Sequence, residues 1–338
     1  MPSPVSADAA AAPLPEIPLV DVGADWPLAT LDAAIDRAHA LLDEGSGHVP
    51  AFALRLVDSV SRRWLARWHE PYLQEIDRIA ARINRPGAHF LNVSYEWGCT
   101  SSACSPADGS PPLLSRVLDW PERGLGRHVI AARIHSAAGR WASLTWPGYT
   151  GALQAVAPGR FAAALNQAPM DQPVGLYPLD WMVNRTRVWR QPHLIAAHLL
   201  RRVFEQAPDF AAAKAMLRDT PIALPAIYTL AGIRAGETCV IERRPEAAHV
   251  VEGPTAAAAN AWQAAHWSGR PRGSDNVERQ RVMQTAKLTI DPSFPWLRRP
   301  VLNQWTRLVF VAEAASGAFV AQGYEAEQPV TRALQAIA

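Results

Sequence analysis

The spacing of apolar residues changes near residue 89, and this change constrains the fold more than any other feature of the chain. Upstream, apolar residues recur every three or four positions in runs that begin at Leu31, Leu56 and Tyr72 and end at glycine or proline. Downstream, short runs typical of strands are separated by turn residues. The pattern predicts an amphipathic, helical segment over residues 17–87, followed by a sheet-rich region.

The sheet-rich region alternates runs of strands with helices, which indicates an α+β fold with mostly antiparallel sheets. A strand over His89–Tyr95 is expected to lead towards Cys99, and a loop is expected over residues 102–114. The other predicted strands are His128–His135, Arg140–Trp146, Gly151–Val156, Phe161–Asn166, Ala226–Gly232, Cys239–Arg243, His249–Glu252, Thr306–Ala312 and Ala318–Gly323. The predicted helices are Pro192–Gln206, Asp209–Arg218 and a piece over residues 273–288.

Composition excludes several classes of partner. The 33 basic and 31 acidic residues nearly balance. The sequence has no long basic run, so binding to nucleic acid is not expected. The sequence has no stretch of about 18 apolar residues, so no integral membrane segment is expected. A transient contact with a membrane surface stays open. Residues 1–16 are expected to be a flexible tail. Because this start lacks a basic and then apolar signal pattern, a cytoplasmic enzyme is expected.

The three cysteines argue against a disulfide-built domain, because their number is odd and small. None lies in a zinc-ligand spacing with histidines, so neither a metal nor another cofactor is expected. Cys99 follows Gly98, and Arg116 and Asp119 follow 17 and 20 residues later. A cysteine after a small residue suits an enzyme that cuts its own chain there and uses the freed α-amine as the base for the thiol.

The segments Tyr95-Glu96, Cys99-Thr100-Ser101 and Ser115–Trp120 resemble the nucleophile region of the acid ceramidase and N-acylethanolamine acid amidase family, relatives of the choloylglycine hydrolases. The order of further matching segments extends the resemblance over most of the chain: Ile17–Val22, Glu70–Ile76, Trp146–Gly151, Phe161–Asn166, Val240–Arg243, Asn260 and Ser274 to Arg279. The resemblance implies a four-layer αββα sandwich of the N-terminal-nucleophile (Ntn) hydrolases. It also implies an N-terminal, α-subunit-like segment over 17–98 and a catalytic domain over 99–338.

The resemblance also implies roles for site residues. Cys99 is the expected nucleophile after cleavage of the Gly98–Cys99 bond, Asp119 is expected to hold the new α-amine, and Arg116 to steady the thiolate or the substrate carbonyl. Asn166 and Asn260 are candidate donors to the oxyanion. Arg279 is expected to orient Asn260 or Asp119, with Arg281 as the competitor because only helix register separates them. Relatives tend to carry Glu-Arg where this chain has Gln167-Ala168.

The expected activity is hydrolysis of a non-peptide carbon–nitrogen amide bond, in an N-acyl amide, through an acyl thioester on Cys99. The two self-cleaved chains are expected to stay associated. Two alternatives stay open: an acyltransferase of the same fold, and a catalytically silent binding or scaffold relative. Four tryptophans are candidates to line an acyl channel, with packing in the core as the alternative for each: Trp97, Trp120, Trp146 and Trp181.

Overall fold

A computed structural model describes residues 13–46, 50–93 and 97–338 of the chain. The helices are α1 (Trp26–Ala33), α2 (Ile35–Ser46), α3 (Ala51–Arg67), α4 (Leu73–Ile83), α5 (Ala88–Asn92), α6 (Leu125–His128), α7 (Tyr177–Trp189), α8 (Ala196–Gln206), α9 (Phe210–Asp219) and α10 (Asn276–Thr285). Most of the tail predicted over 1–16, and the motif residues Tyr95 and Glu96, lie outside the described residues.

The strands form two sheets. The strands are β1 (Leu19–Gly23), β2 (Gly98–Cys104), β3 (Leu113–Asp119), β4 (Ile130–Ser136), β5 (Gly139–Thr145), β6 (Gln154–Ala157), β7 (Phe161–Gln167), β8 (Ala226–Ala231), β9 (Thr238–Arg244), β10 (Ala247–Glu252), β11 (Thr255–Ala258), β12 (Thr306–Glu313), β13 (Ala318–Glu325), β14 (Gln328–Pro329) and β15 (Leu334–Ile337). The first sheet has the order β1-β4-β5-β6-β7-β8-β9-β10, and only β1 and β4 pair in parallel. The second has the order β11-β2-β3-β12-β13-β14, with β15 also on β13.

The two sheets stack face to face between helices. Strand β7 is buried along its whole length, because its side chains alternate between two covered faces. Asn166 points to the second sheet and meets Ser101 there, whereas Phe161 points the other way and packs on Phe204 of α8. Helix α9 covers the same outer face of the first sheet, and α10 packs on β2 and β11 of the second. The predicted α+β, four-layer αββα architecture is therefore confirmed.

Two local predictions were wrong near the start of the sheets. The chain over 88–92 is the helix α5 instead of a strand, because the Asp58 carboxylate accepts hydrogen bonds from the Gly87 and Phe90 N–H groups at its first turn. Asn92 then closes the helix by donating to Ala88 O at 2.9 Å. The loop predicted from residue 102 begins only after Cys104, where β2 ends.

Helix boundaries also differ from the predicted ones. Helix α7 was not predicted, and α8 begins at Ala196 instead of Pro192. Helix α10 lies inside the predicted range, and its N-cap residue is Asp275. Among the described residues, no helix combines the length and the apolar content that a membrane crossing requires.

A close contact between α6 and β13 gives a stability test. A methyl group at Gly126 would overlap the backbone of Tyr324 and lie 2.8 Å from Arg307 O, so we expect Gly126→Ala to destabilise the fold by about 2–3 kcal/mol. Gly253→Ala is the matched control, because its nearest neighbour would lie at 3.9 Å and its φ is not positive. Urea unfolding measures both variants, and equal free energies of unfolding would contradict this packing.

Candidate active site

Strand β2 places Cys99 in the middle of the molecule. The strand pairs with β3 on one side and β11 on the other, and Cys99 lies opposite Leu118 with no exposed surface. Alternation along the strand sends the side chain of Ser101 towards the first sheet, where its Oγ lies 2.7 Å from Thr229 Oγ1. Cys99 shares that inner face, whereas Thr100 faces α10.

Arg116 contacts the thiol of Cys99 directly. Its Nη2 lies 2.9 Å from Cys99 Sγ and also donates to Leu165 O at 3.1 Å, while Nη1 donates to Gln154 Oε1. The arginine is fully buried, so these acceptors fix the guanidinium against the sulfur. Gln154 was missed by sequence reasoning, because nothing in the local pattern of its strand marks a glutamine that supports a residue 38 positions away.

Asp119 lies on the opposite face of β3 from Arg116. It is the last residue of the strand, at the point where the pairing with β12 shifts. Its Oδ2 accepts from Arg279 Nη1 at 3.0 Å, and its Oδ1 accepts from Thr306 Oγ1 at 3.0 Å. The strand alternation therefore separates the two charged residues, so that one contacts the thiol and the other contacts α10.

Arg279 links α10 to β2, the strand that carries Cys99. Besides Asp119, its guanidinium donates to the backbone O of Cys99 at 3.2 Å and to Thr100 Oγ1 at 3.1 Å. The competing Arg281 is exposed and pairs only with Glu278 on the helix surface among the described contacts. Of the two arginines, Arg279 is therefore the one that contacts the residues around Cys99.

Two side chains hold the backbone on either side of Gly98. The Cys99 N–H donates to Asn260 Oδ1 at 2.7 Å, and the Trp97 N–H donates to Gln167 Oε1 at 2.7 Å. Asn260 Nδ2 donates in turn to Gln167 O at 2.7 Å, so the two residues that accept from this backbone are also bonded to each other. In the uncleaved chain the backbone nitrogen of Cys99 thus bonds to Asn260. The expected contact of the freed α-amine with Asp119 stays a prediction.

Asn166 is buried beside this group without contacting Cys99. Its Nδ2 donates to Ser101 Oγ at 2.8 Å and to Ala258 O at 3.2 Å. Its Oδ1 is buried and has no hydrogen-bond partner among the described residues. The expected oxyanion role of Asn166 therefore stays a prediction, while Asn260 lies directly at the cysteine nitrogen.

The four candidate tryptophans lie in different places. Trp97 is buried and packs on Trp120, with ring centroids 5.0 Å apart. Trp146 is buried in the core and donates to Leu125 O at 2.8 Å, and Trp181 lies partly exposed on α7. Of the four, only Trp97 lines the open cavity described next.

An open cavity of about 370 Å³ lies at the Gly98 end of β2. Gly98, Asp119 and Arg279 form part of its wall, so the cavity reaches the bond before Cys99. Its other lining residues are Trp97, Pro121, Gln167, Tyr177, Arg272, Gly273, Ser274, Asn303, Gln304 and Trp305. Tyr177 and Trp305 were missed, because they come from distant segments that only the fold brings together.

Burial controls the ionisation of the two reactive groups. It raises the pKa of Cys99 to about 11, against the opposing effect of the Arg116 charge. Burial also raises the pKa of Asp119, against the opposing charge of Arg279. In the uncleaved chain the thiol is therefore protonated at neutral pH.

Within the described ranges, no group of three His, Cys, Asp or Glu side chains could hold a metal ion.

The described residues form two stacked sheets between helices, with a buried cysteine near the start of a central strand. This is the arrangement that the resemblance to the Ntn hydrolases implied. No protein-family model matches the chain. Acid ceramidase of Homo sapiens is 33% identical over 109 residues, which are 32% of this chain and 26% of that protein. Acid ceramidase of Pan troglodytes is 33% identical over 110 residues, with the same shares of each chain covered.

This similarity agrees with the resemblance seen in the sequence: over about a third of its length the chain is similar to the acid ceramidases. It spans about a quarter of the length of the curated relatives that it matches. Two solved structures are also similar. An N-acylethanolamine-hydrolyzing acid amidase ortholog from Caenorhabditis elegans is 20% identical, with a TM-score of 0.49, covering 64% of this chain and 93% of that one. A mutant form of conjugated bile acid hydrolase from Clostridium perfringens is 12% identical, with a TM-score of 0.41, covering 70% and 92%.

The thiol environment predicts an order of chemical reactivity. In the folded, uncleaved chain at neutral pH, we expect iodoacetamide to label Cys104, which is partly exposed, before Cys99 and Cys239. The latter two are fully buried, and burial raises their pKa to about 11 and about 12, so little thiolate is present. Peptide mass spectrometry measures the labelling, with the denatured chain as the control in which all three react. Labelling of folded Cys99 as fast as Cys104 would contradict the buried site.

Arg279 and Arg281, both on α10, give a matched pair of variants whose free energies of unfolding can be compared. Arg279→Lys keeps the charge but cannot reproduce the fork of hydrogen bonds, so we expect it to lower the free energy of unfolding by at least about 2 kcal/mol. Arg281→Lys changes an exposed surface pair and should leave stability unchanged. Urea unfolding compares the two, and similar losses would show that Arg279 does not organise the site.

Proposed function

We propose that this protein is a cysteine amidase that cuts its own chain between Gly98 and Cys99 and then hydrolyses an N-acyl amide. The proposal rests on two hydrogen bonds to Cys99. The Arg116 guanidinium lies 2.9 Å from its sulfur, and Asn260 Oδ1 accepts its N–H at 2.7 Å. A buried thiol with no chemical role has no need for a buried guanidinium at its sulfur, since desolvating that charge is costly.

In the proposed self-cleavage, Cys99 Sγ attacks the carbonyl carbon of Gly98. A thioester forms between Gly98 and the sulfur, the carbon–nitrogen bond breaks, and the nitrogen of Cys99 takes up the thiol proton as a free amine. Water then hydrolyses the thioester to leave a carboxylate on Gly98 and a thiol on Cys99. The hydrogen bonds that Gln167 and Asn260 accept from Trp97 and Cys99 support this step, because they hold the backbone on both sides of the bond.

The proposed amide hydrolysis uses the new α-amine as the base. An α-amine has a pKa of about 8 and an exposed thiol about 8.5, so a proton passes readily between them near neutral pH. The thiol of Cys99 attacks the amide carbonyl, the amine leaves with a proton, and water releases the acid from the thioester. In this scheme Arg116 steadies the thiolate and Asn260 holds the α-amine. Asp119 acts on Asn260 through Arg279, which pairs with Asp119 and contacts Asn260 Oδ1 at 3.2 Å.

We also propose that the two chains stay together after cleavage. Partly buried contacts already join the N-terminal segment to α8: Arg201 pairs with Glu75 at 2.6 Å, and the Tyr72 hydroxyl donates to Glu205 at 3.0 Å. Arg201 also lies over the Tyr72 ring, 3.9 Å from its centroid. These contacts do not involve the bond that is cut, which supports association of residues 17–98 with residues 99–338.

The cavity supports an amide with an apolar part as the substrate. Aromatic side chains of Trp97, Tyr177 and Trp305 lie in its wall, and the wall reaches Gly98 beside the nucleophile. Acid ceramidase, the relative with 33% identity, is named for ceramide, which is an N-acyl amide. The proposed substrate class is accordingly the N-acyl amides of fatty acids.

Paired cysteine variants test the proposed activity. Cys99→Ala should lower hydrolysis of a fluorogenic long-chain fatty amide by more than about a thousandfold, because the nucleophile is lost. Cys104→Ala should retain most of the activity, because Cys104 lies at the other end of β2 and accepts from Thr255 Oγ1 at 3.5 Å. Release of the fluorescent amine is the measurement. Activity in the Cys99 variant, or its loss only in the Cys104 variant, would rule out Cys99 as the nucleophile.

A further inference from the structure

Glu242 carries a carboxylate that the fold buries between the two sheets. Side chains alternate along β9: Arg243 faces outward and donates to Thr220 O at 2.9 Å, at the end of α9, whereas Val240 packs inward in one apolar cluster with Ala258 of β11. Glu242 lies two residues from Val240 and therefore shares its inward face. It has no exposed surface, although acidic residues are almost never fully buried unless they are paired.

The partners of the Glu242 carboxylate are backbone N–H groups. Its Oε1 accepts from the Gln263 N–H at 2.6 Å, and its Oε2 accepts from the Ala264 N–H at 2.9 Å. Burial raises the pKa of Glu242, against the opposing effects of these two N–H groups and of His249 and His266. A carboxylate in such a place is costly, so the backbone that it holds points to its role.

The backbone that Glu242 holds follows directly after Asn260. We call residues 261–264 the Asn260 turn. The Gln263 side chain donates back through Nε2 to Ala257 O at 3.2 Å, on β11. The chain therefore folds over around Asn260, with β11 before it and the bonds to Glu242 after it.

Asn260 is thereby fixed from two sides. Its own N–H donates to Asn276 Oδ1 of α10 at 2.8 Å, and Glu242 holds the turn that follows it. Between these supports, Asn260 Oδ1 accepts the Cys99 N–H at 2.7 Å. A shift of the turn would move Asn260 relative to Cys99, and a misplacement of about 1 Å, even by a change far from the chemistry, can slow an enzyme about a hundredfold.

We propose that Glu242 is a positioning residue of the amidase: by holding the Asn260 turn, it keeps the Asn260 side chain at the nitrogen of Cys99. The described hydrogen bonds of its carboxylate go to the turn, and Glu242 is not among the residues that line the open cavity. It therefore acts through the backbone and does not touch the substrate. This role rests on the proposed function, in which Asn260 holds the new α-amine.

Glu242→Gln tests the role, because it keeps the shape of the side chain but sets an amide NH₂ group against one of the two N–H donors. In the cleaved enzyme, we expect kcat for a fluorogenic long-chain fatty amide to fall by about tenfold to a hundredfold. KM should stay within about twofold, because the cavity wall is unchanged.

Glu237→Gln is the matched control. Glu237 also accepts from two backbone N–H groups, those of Ile233 at 2.9 Å and Arg234 at 3.0 Å, but it lies just before the opposite end of β9. The same chemical change there loosens a turn that does not lead to Asn260. We therefore expect kcat and KM of this variant to match those of the wild type.

Hydrogen–deuterium exchange gives a second measurement that needs no activity. It is made on the full-length Cys99→Ala chain, which lacks the proposed nucleophile and stays uncleaved. Adding Glu242→Gln should speed exchange in the Asn260 turn and at the N–H of position 99. Adding Glu237→Gln should speed exchange only around residues 233–238.

Four results would overturn the proposal: wild-type kcat in the Glu242→Gln enzyme, a raised KM with unchanged kcat, equal losses in the Glu237→Gln control, or unchanged exchange at position 99. Circular dichroism checks folding. If Glu242→Gln does not fold, Glu242→Asp, which shortens the side chain and keeps its charge, takes its place with the same expected fall in kcat at constant KM. If the wild type hydrolyses no amide, the proposed function fails, while the exchange result still decides whether Glu242 positions Asn260.

Discussion

The buried guanidinium of Arg279 is the interaction on which the site depends. It is 2% exposed, and it reaches the Asp119 carboxylate, the backbone O of Cys99 and the side chains of Thr100 and Asn260. A buried charge of this kind is stable only when its donors have acceptors. Because those acceptors come from β2, β3 and the segment after β11, satisfying one arginine fixes the three segments relative to α10.

Side chains alternate between the two faces of the neighbouring strands β2 and β3, so different charged residues of the site lie on each face. On the inner face, Arg116 lies against the sulfur of Cys99, held there by Gln154. On the outer face, Asp119 pairs with Arg279. Arg116 and Asp119 therefore do not pair with each other, and they make their hydrogen bonds to different groups around Cys99. The inner arginine favours the thiolate against burial, and the outer pair holds the backbone around the same residue.

The sequence predicted the parts of the structure that depend on local patterns. Strands such as β7 and β8 were predictable from apolar runs between turn residues. The family resemblance singled out Cys99, Arg116 and Asp119, which lie close together on the paired strands β2 and β3. Helix α5 was not predictable, because Asp58, about 30 positions upstream, caps its first turn. Helix α7 was missed because its exposed apolar residues do not follow the spacing of a helix that buries one face.

Supporting residues of the site were the hardest to predict. Gln154, Gln167 and Thr306 act through single hydrogen bonds to residues far away in sequence, and no local pattern marks such a partner. Gln167 stands where related sequences tend to carry glutamate, and its side chain accepts the Trp97 N–H beside the bond proposed to be cut. The choice between Arg279 and Arg281 likewise needed the helix register, which the structure supplies.

The central claim is that Cys99 becomes the first residue of a chain. Intact-mass spectrometry with N-terminal sequencing, on purified protein incubated from acid to neutral pH, tests it most directly. The account predicts two chains, of which the C-terminal one begins Cys99-Thr100-Ser101. A single, persistent chain of 36.8 kDa that still begins at Met1 or Pro2 would contradict it.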